Sequence, residues 1–224
     1  MAQVAFIDTV HEVLWERLTA AGMSCRHAEK VSRKDVLAGA LNQCEGVVLR
    51  SRLTVDAALL DALPGLKWIA RSGAGLDNID VAEAERRGVR IFSSPEGNAV
   101  AVGEHAVGQL LMLLHKLGAA DRHVRGGGWD REGHRGLEPE ARTVGIIGFG
   151  NMGQSFARCL RGFGCRVLAY DKYTSGFEGT WGVKECSLDQ LREEADAISL
   201  HVPLTEETRG MVDIEWLNQL KRPC

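Results

Sequence analysis

The first hundred residues alternate short apolar runs with stretches of helical periodicity. Apolar runs at 4–7, 46–49, 67–70 and 89–92 have the length and branching of buried strands. Between them, 10–21, 55–63 and 81–87 repeat apolar residues at helical spacing. Such alternation predicts βαβ units on a parallel sheet. A long helix is then predicted from about 98 to 125. Val102, Ala106, Leu110, Leu113, Leu114 and Leu117 lie on its apolar side, and Gly126, Gly127 and Gly128 end it. Residues 129–142 are polar and aperiodic. A second sheet begins at Thr143, with strands near 143–147, 166–170 and 196–202 and helices near 151–162, 187–194 and 213–220. No internal repeat or low-complexity tract interrupts this order. The expected class is α/β with two halves.

The most informative stretch opens the second half. It runs Thr143-Val-Gly-Ile-Ile-Gly148-Phe-Gly150-Asn-Met-Gly153 and reaches Asp171 at the tip of the next strand. Gly148 permits a sharp turn out of the strand. Gly150 leaves room for a pyrophosphate to approach the backbone, and Gly153 lets the helix pack on the strand. Met152, Phe156 and Leu160 recur every four residues, with Cys159 and Phe163 alongside, so a helix starts at the turn. Its N-terminus offers unpaired N–H groups and a positive dipole end to phosphates. Asp171 follows Gly153 by 18 residues. Its carboxylate can accept the adenosine ribose hydroxyls and repels a 2′-phosphate, which favours NAD over NADP. Lys172 beside it softens that preference. Two readings compete. A bare strand–helix turn does not require the acid at this distance, and an adenosyl-dependent methyltransferase does not require Gly153.

Composition narrows the class. The 224 residues are 45% hydrophobic and 25% charged, with formal net charge −3, which gives no footing for nucleic acid or an anionic membrane. The most apolar segment, 106–114, contains Gln109 and is too short to span a bilayer. The N-terminus has no basic region before its apolar residues and reads as a first strand rather than a signal peptide. Six cysteines, at 25, 44, 159, 165, 186 and 224, show no Cys-x-x-Cys pair. They read as reduced thiols of a cytoplasmic protein. The scattered histidines form no metal-ligand spacing, so no metal is expected.

Ligands of open parallel sheets bind beyond the strands' C-terminal ends. Those ends carry Arg50-Ser51, Ser72-Gly73-Ala74-Gly75, Pro95-Glu96-Gly97-Asn98 and His201-Val202-Pro203. The Ser-Gly-Ala-Gly loop can present backbone N–H groups to a carboxylate. From composition alone, a plain turn is the better explanation.

Five further segments occur in order: Gly75-Leu-Asp-Asn-Ile-Asp80, Pro95 to Asn98, Val102-Gly-Glu-His105, Gly148 to Gly153, and His201-Val-Pro-Leu-Thr205 with Thr208. Together, from about Arg50 onward, they resemble the NAD-dependent D-2-hydroxyacid dehydrogenases, especially phosphoglycerate dehydrogenase-like members. The resemblance implies a flavodoxin-like substrate domain over 1–100, a long interdomain helix over 101–128, and an incomplete Rossmann NAD-binding domain over 129–224. It implies that Arg50, Ser51, Ser72, Gly73, Ala74, Gly75 and Asn98 face a 2-hydroxy or 2-keto acid. It likewise implies that Val102, Gly148, Gly150, Asn151, Met152, Gly153, Asp171, His201, Val202, Pro203 and Thr208 face NAD. The family's Arg, Glu and His, which grip the substrate and move the proton, come from an Asn-x-x-Arg-Gly, a Glu-Pro and a Pro-His. None of these motifs is present, and Arg50, Arg71, His105 and His201 do not replace them. The expectation is therefore a catalytically inactive fragment whose cofactor sheet has an unpaired inner strand and no covering helices, leaving apolar surface open to water. The alternative is a non-catalytic NAD-binding module of the corepressor type. Homodimerisation is implied for the intact protein, while residues 110–117 read either as part of that contact or, by default, as packing inward.

Overall fold

The computed structural model describes residues 2–220 and divides into two compact units between Asn98 and Ala99. In the first, β1 (Gln3–Phe6), β2 (Ser24–His27), β3 (Cys44–Leu49), β4 (Trp68–Arg71) and β5 (Arg90–Ser93) form a parallel sheet of order β2-β1-β3-β4-β5. That is the flavodoxin-like order. Four helices connect the strands: α1 (Glu12–Ala20), α2 (Arg33–Leu37), α3 (Ala57–Asp61) and α4 (Val81–Arg86). Alternate residues of each strand point to opposite faces, so the sheet has two cores. Ile7, Leu49 and Ile69 pack with Val36, Leu41 and Leu59 on one side. Val4, Phe6 and Val48 pack with Leu14, Trp15 and Leu18 on the other. Short helices are held by their caps. Ser32 and Asp35 form a reciprocal capping box on α2, while Asp56 and Asp80 accept the Leu59 and Glu83 amides of α3 and α4.

The second unit holds α5 (Ala99–Leu114), α6 (Leu117–Arg125), β6 (Thr143–Ile147), α7 (Asn151–Leu160), β7 (Arg166–Tyr170), β8 (Lys184–Glu185), α8 (Leu188–Glu194), β9 (Ala197–Leu200) and α9 (Ile214–Asn218). Its parallel sheet runs β8-β7-β6-β9. All five residues of β6 are buried, as an inner strand covered on both faces requires. Phe156, Ala157 and Leu160 of α7 pack with Leu110 of α5 and with Val144 and Ile146. Gly103 makes the helix pair close, because a Cβ there would lie 2.6 Å from Ser155 Oγ and 2.8 Å from its backbone carbon.

The single helix expected over 101–128 is two helices. Lys116 adopts a left-handed conformation (φ 52°) between α5 and α6, which interrupts the hydrogen-bond ladder. Leu114 and Leu117 continue the apolar stripe across the break, so periodicity hid it. Both helices belong to the second unit. Three further elements, β2, α2 and β8, had no apolar signature. β2 is a largely exposed edge strand, α2 buries only Val36, and β8 has two residues.

The structure departs from the expected sheet without covering helices. β9 pairs with β6 alone among the described residues, and Leu200 is 44% exposed. One face is nevertheless covered, because Trp216 of α9 packs with Ile147, Leu191 and Ala195. The five described cysteines are free thiols, and Cys224 lies outside the described residues. Among the described residues, no helix is long and apolar enough to cross a membrane.

Candidate dinucleotide site

The site grows from the end of β6. Gly148 takes φ +92°, and a Cβ there would meet the His201 carbonyl oxygen at 2.5 Å. A side chain is therefore excluded twice, by backbone conformation and by the loop after β9. Gly148 N–H donates to Tyr170 O at 2.8 Å, extending the β6–β7 ladder into the turn. Phe149 is buried and stacks on Phe177 with centroids 4.4 Å apart. Gly150 caps α7 without a side-chain hydrogen bond, and a Cβ built there would meet no atom within 4 Å. Gly153 is the contrast, since its Cβ would sit 2.1 Å from Gly148 O. The three glycines thus have separate causes: turn conformation, open approach, and helix-to-strand contact.

Asn151 is exposed and Met152 half-buried on the first turn of α7. Their backbone N–H groups stand at the helix N-terminus, where no side chain caps them. Asp171 lies immediately after β7, half-buried. Its Oδ2 accepts Phe149 N–H at 2.7 Å, and its Oδ1 accepts Tyr173 and Thr174 N–H at 2.9 Å each. Burial works to raise its pKa, but the three amides, together with the Thr174 hydroxyl, outweigh that and hold the carboxyl below its usual range. The carboxylate expected to accept the adenosine ribose hydroxyls is thus engaged by its own loop and by the glycine turn. Three of roughly four lone-pair directions on the carboxylate are already filled, which leaves one on Oδ2.

The loop after β9 closes the other side. His201 N–H donates to Ile147 O at 2.7 Å, its Nε2 pairs with Ser199 Oγ at 2.9 Å, and its ring lies 5.3 Å from Phe156. Burial pushes the imidazole pKa down. Val202 presents Cγ1 at 3.0 Å from where a Gly148 Cβ would be. Thr208 Oγ1 donates to Pro203 O and accepts Thr205 N–H at 2.8 Å, which folds 203–208 into a compact turn. Val102 sits half-buried on the first turn of α5, one residue before the Gly103 contact with α7. Sequence reading missed Glu207. Its carboxylate takes Lys172 and Tyr173, and these two, in that order, hold its pKa down.

In the first unit, a cavity of about 560 Å³ opens at the C-terminal edge of the sheet. Arg50, Ser51, Ser72, Gly73 and Asn98 line it, as do Arg71, Ser94, Thr9 and His11. Ala74 and Gly75 are not among its walls. Gly73 has φ +147°, and a Cβ there would collide with Arg71 Nη1, so the Arg71 side chain lies across this glycine. Arg50 N–H is held by Asp8 Oδ2 at 2.6 Å, and its carbonyl by Asn78 Nδ2 at 3.1 Å. Both bonds fix the loop after β3. Thr9 and His11 follow the C-terminal end of β1 and Ser94 that of β5, where ligands of open parallel sheets bind.

A glycine turn, an uncapped helix terminus and an acid one strand away define a dinucleotide-binding α/β unit. Residues 107–223 match the model of the D-isomer specific 2-hydroxyacid dehydrogenase, NAD binding domain. The chain belongs to that family. It is 41% identical over 189 residues to a D-3-phosphoglycerate dehydrogenase of Mycobacterium tuberculosis, covering 84% of this chain and 36% of that protein. It is 38% identical over 188 residues to a hydroxypyruvate reductase of Thermotoga maritima, covering 84% and 61%. A solved glyoxylate reductase from Paecilomyes thermophila superposes with a TM-score of 0.87 at 27% identity, over 98% of this chain and 70% of that one. The chain thus spans about a third of the mycobacterial relative's length, 36%.

Proposed function

We propose that the second unit binds NAD(H) through Gly148, Gly150, Asn151, Met152, Gly153 and Asp171, with Val102, His201, Val202, Pro203 and Thr208 completing the pocket. The observation that carries this is Gly150, which is open to solvent in front of an uncapped helix N-terminus while the neighbouring amide is locked to the acid. The pyrophosphate would meet the α7 N–H groups, and the adenosine ribose would meet the remaining lone pair of Asp171. NAD, when bound, supplies the hydride acceptor of 2-hydroxy acid oxidation. The chain's own residues hold and orient it and exclude a side chain from the phosphate path.

The first unit is, in this reading, the substrate domain. Arg50 and Arg71 bring two cations to one cavity beside Ser51 and Ser72, a setting suited to a small anionic 2-hydroxy or 2-keto acid. Asn98, Ala74 and Gly75 complete the proposed loop set. Within these 224 residues the proposal assigns binding and positioning, and no proton-transferring residue. A second reading is a non-catalytic NAD-binding module of the corepressor type. We place the protein in the cytoplasm and the intact protein as a homodimer; the exposed Met112, Leu113 and Leu117 on α5 and α6 support the second of these.

Titrating the purified chain with NADH, following nucleotide fluorescence, tests the site. Saturable binding that is lost in Gly150→Val is expected, and binding unaffected by that change would remove the site. Turnover of glyoxylate or hydroxypyruvate with NADH separates the two readings: none is expected of these residues alone, and clear turnover would overturn the non-catalytic assignment.

A further inference from the structure

A cation beside the ribose acid is the arrangement by which a dinucleotide fold accommodates a 2′-phosphate. Lys172 immediately follows Asp171 and stands where such a cation would be useful. It is already engaged. Its Nζ forms an ion pair with Glu207 Oε1, and the same carboxylate accepts the Tyr173 hydroxyl through Oε2 at 2.8 Å. The Tyr173 ring centroid lies 5.5 Å from Nζ. Lys172 and Tyr173 belong to the loop after β7, and Glu207 to the loop after β9. These are the two loops that flank the glycine turn in the order β7-β6-β9. Asp171 Oδ1 holds the Tyr173 and Thr174 amides, so the backbone that carries the lysine is fixed.

We propose that Glu207 is a specificity-determining residue that withholds Lys172 from the 2′-position of the adenosine ribose. NADP is then disfavoured twice. Asp171 repels its phosphate, and Lys172 must leave a carboxylate partner before it can serve as counter-ion. The inference rests on the proposed nucleotide site. Lys172, Glu207 and Tyr173 are all exposed, so the ion pair is weak and screened by salt. It tunes preference rather than setting it.

The test is the ratio of NADPH to NADH affinity, measured by nucleotide fluorescence on the full chain and on Glu207→Gln, Lys172→Gln and the double variant. Glu207→Gln should raise the ratio about threefold to fivefold at low ionic strength, with most of the gain lost at about 0.5 M salt. The double variant should show no gain. An unchanged ratio in Glu207→Gln overturns the proposal. So does an equal gain in the double variant, because removal of a negative charge alone would then account for it. Failure of the parent chain to bind NADH overturns instead the nucleotide site on which the inference stands.

Discussion

The backbone amide of Phe149 donates to Oδ2 of Asp171 across 2.7 Å, so the acid at the end of β7 also holds the glycine turn at the end of β6. Phe149 is buried, and its amide has no other partner among the described residues. Asp171→Ala therefore has two costs. Loss of the buried acceptor should lower stability by ~1–3 kcal/mol, and loss of the ribose contact should weaken NADH by a similar amount. Thermal melts and NADH titration on one sample separate them. Weakened binding with an unchanged melting temperature would show that the Phe149 bond contributes nothing. Equal affinity of the parent for NADH and NADPH would count against any ribose role.

The three glycines of the turn should respond differently to a single methyl group. At Gly150 the added Cβ meets nothing within 4 Å and φ is −75°, so Gly150→Ala should leave the fold intact while weakening NADH on the order of tenfold. At Gly153 the Cβ would lie 2.1 Å from a backbone oxygen, so α7 must move away from β6, at ~1–3 kcal/mol. Gly148→Ala adds conformational strain to a collision with the His201 carbonyl. Calorimetric unfolding of the three variants should leave Gly150→Ala near the parent. A melting temperature for Gly150→Ala as low as that of Gly153→Ala would mean that the turn is not open at that position.

Much of this was legible because burial writes itself into the pattern. β6 and β7 are apolar runs enclosed on both faces, and their limits were read to the residue. The glycines and Asp171 were legible because a phosphate needs absent side chains and a ribose needs a carboxylate. What escaped lacks an apolar signature. β2 is mostly polar and lies at an edge, and the break at Lys116 is a matter of one backbone angle. The hydrogen bonding of Asp171 by three amides and the capture of Lys172 by Glu207 join residues whose proximity depends on loop geometry, which no periodicity reports.

His201 makes the second unit sensitive to acid. Burial depresses its pKa below the ordinary value of 6.5, so the folded state binds a proton less readily than the unfolded chain. The sign follows directly. Above 6.5 the imidazole is neutral in both states, and as pH falls below that value the unfolded state takes up the proton first and gains. Stability should therefore decline between neutral pH and the depressed folded pKa. In His201→Asn, the part of that slope due to the imidazole should vanish. Melting temperatures of parent and variant at a series of pH values between about 5 and 8 check this. Parallel curves would show that the ring titrates normally.

The contact between Gly103 and Ser155 gives a test in which side chain and backbone make opposite contributions. Among the described residues, Ser155 Oγ is buried without a hydrogen-bond partner, so Ser155→Ala removes an unsatisfied hydroxyl and adds helix propensity. It should stabilise by ~0.5–1 kcal/mol. Gly103→Ala does the reverse, because its Cβ would lie 2.6 Å from that Oγ and 2.8 Å and 2.9 Å from the Ser155 backbone carbon and oxygen. Forcing α5 from α7 should cost ~1–3 kcal/mol, beyond the ~1 kcal/mol by which alanine outdoes glycine in a helix. The double variant distinguishes the causes. If the Oγ alone set the close approach, Ser155→Ala would rescue Gly103→Ala fully. Since two of the three nearest atoms are backbone, which no substitution at Ser155 removes, denaturant unfolding should show the double variant still well below Ser155→Ala.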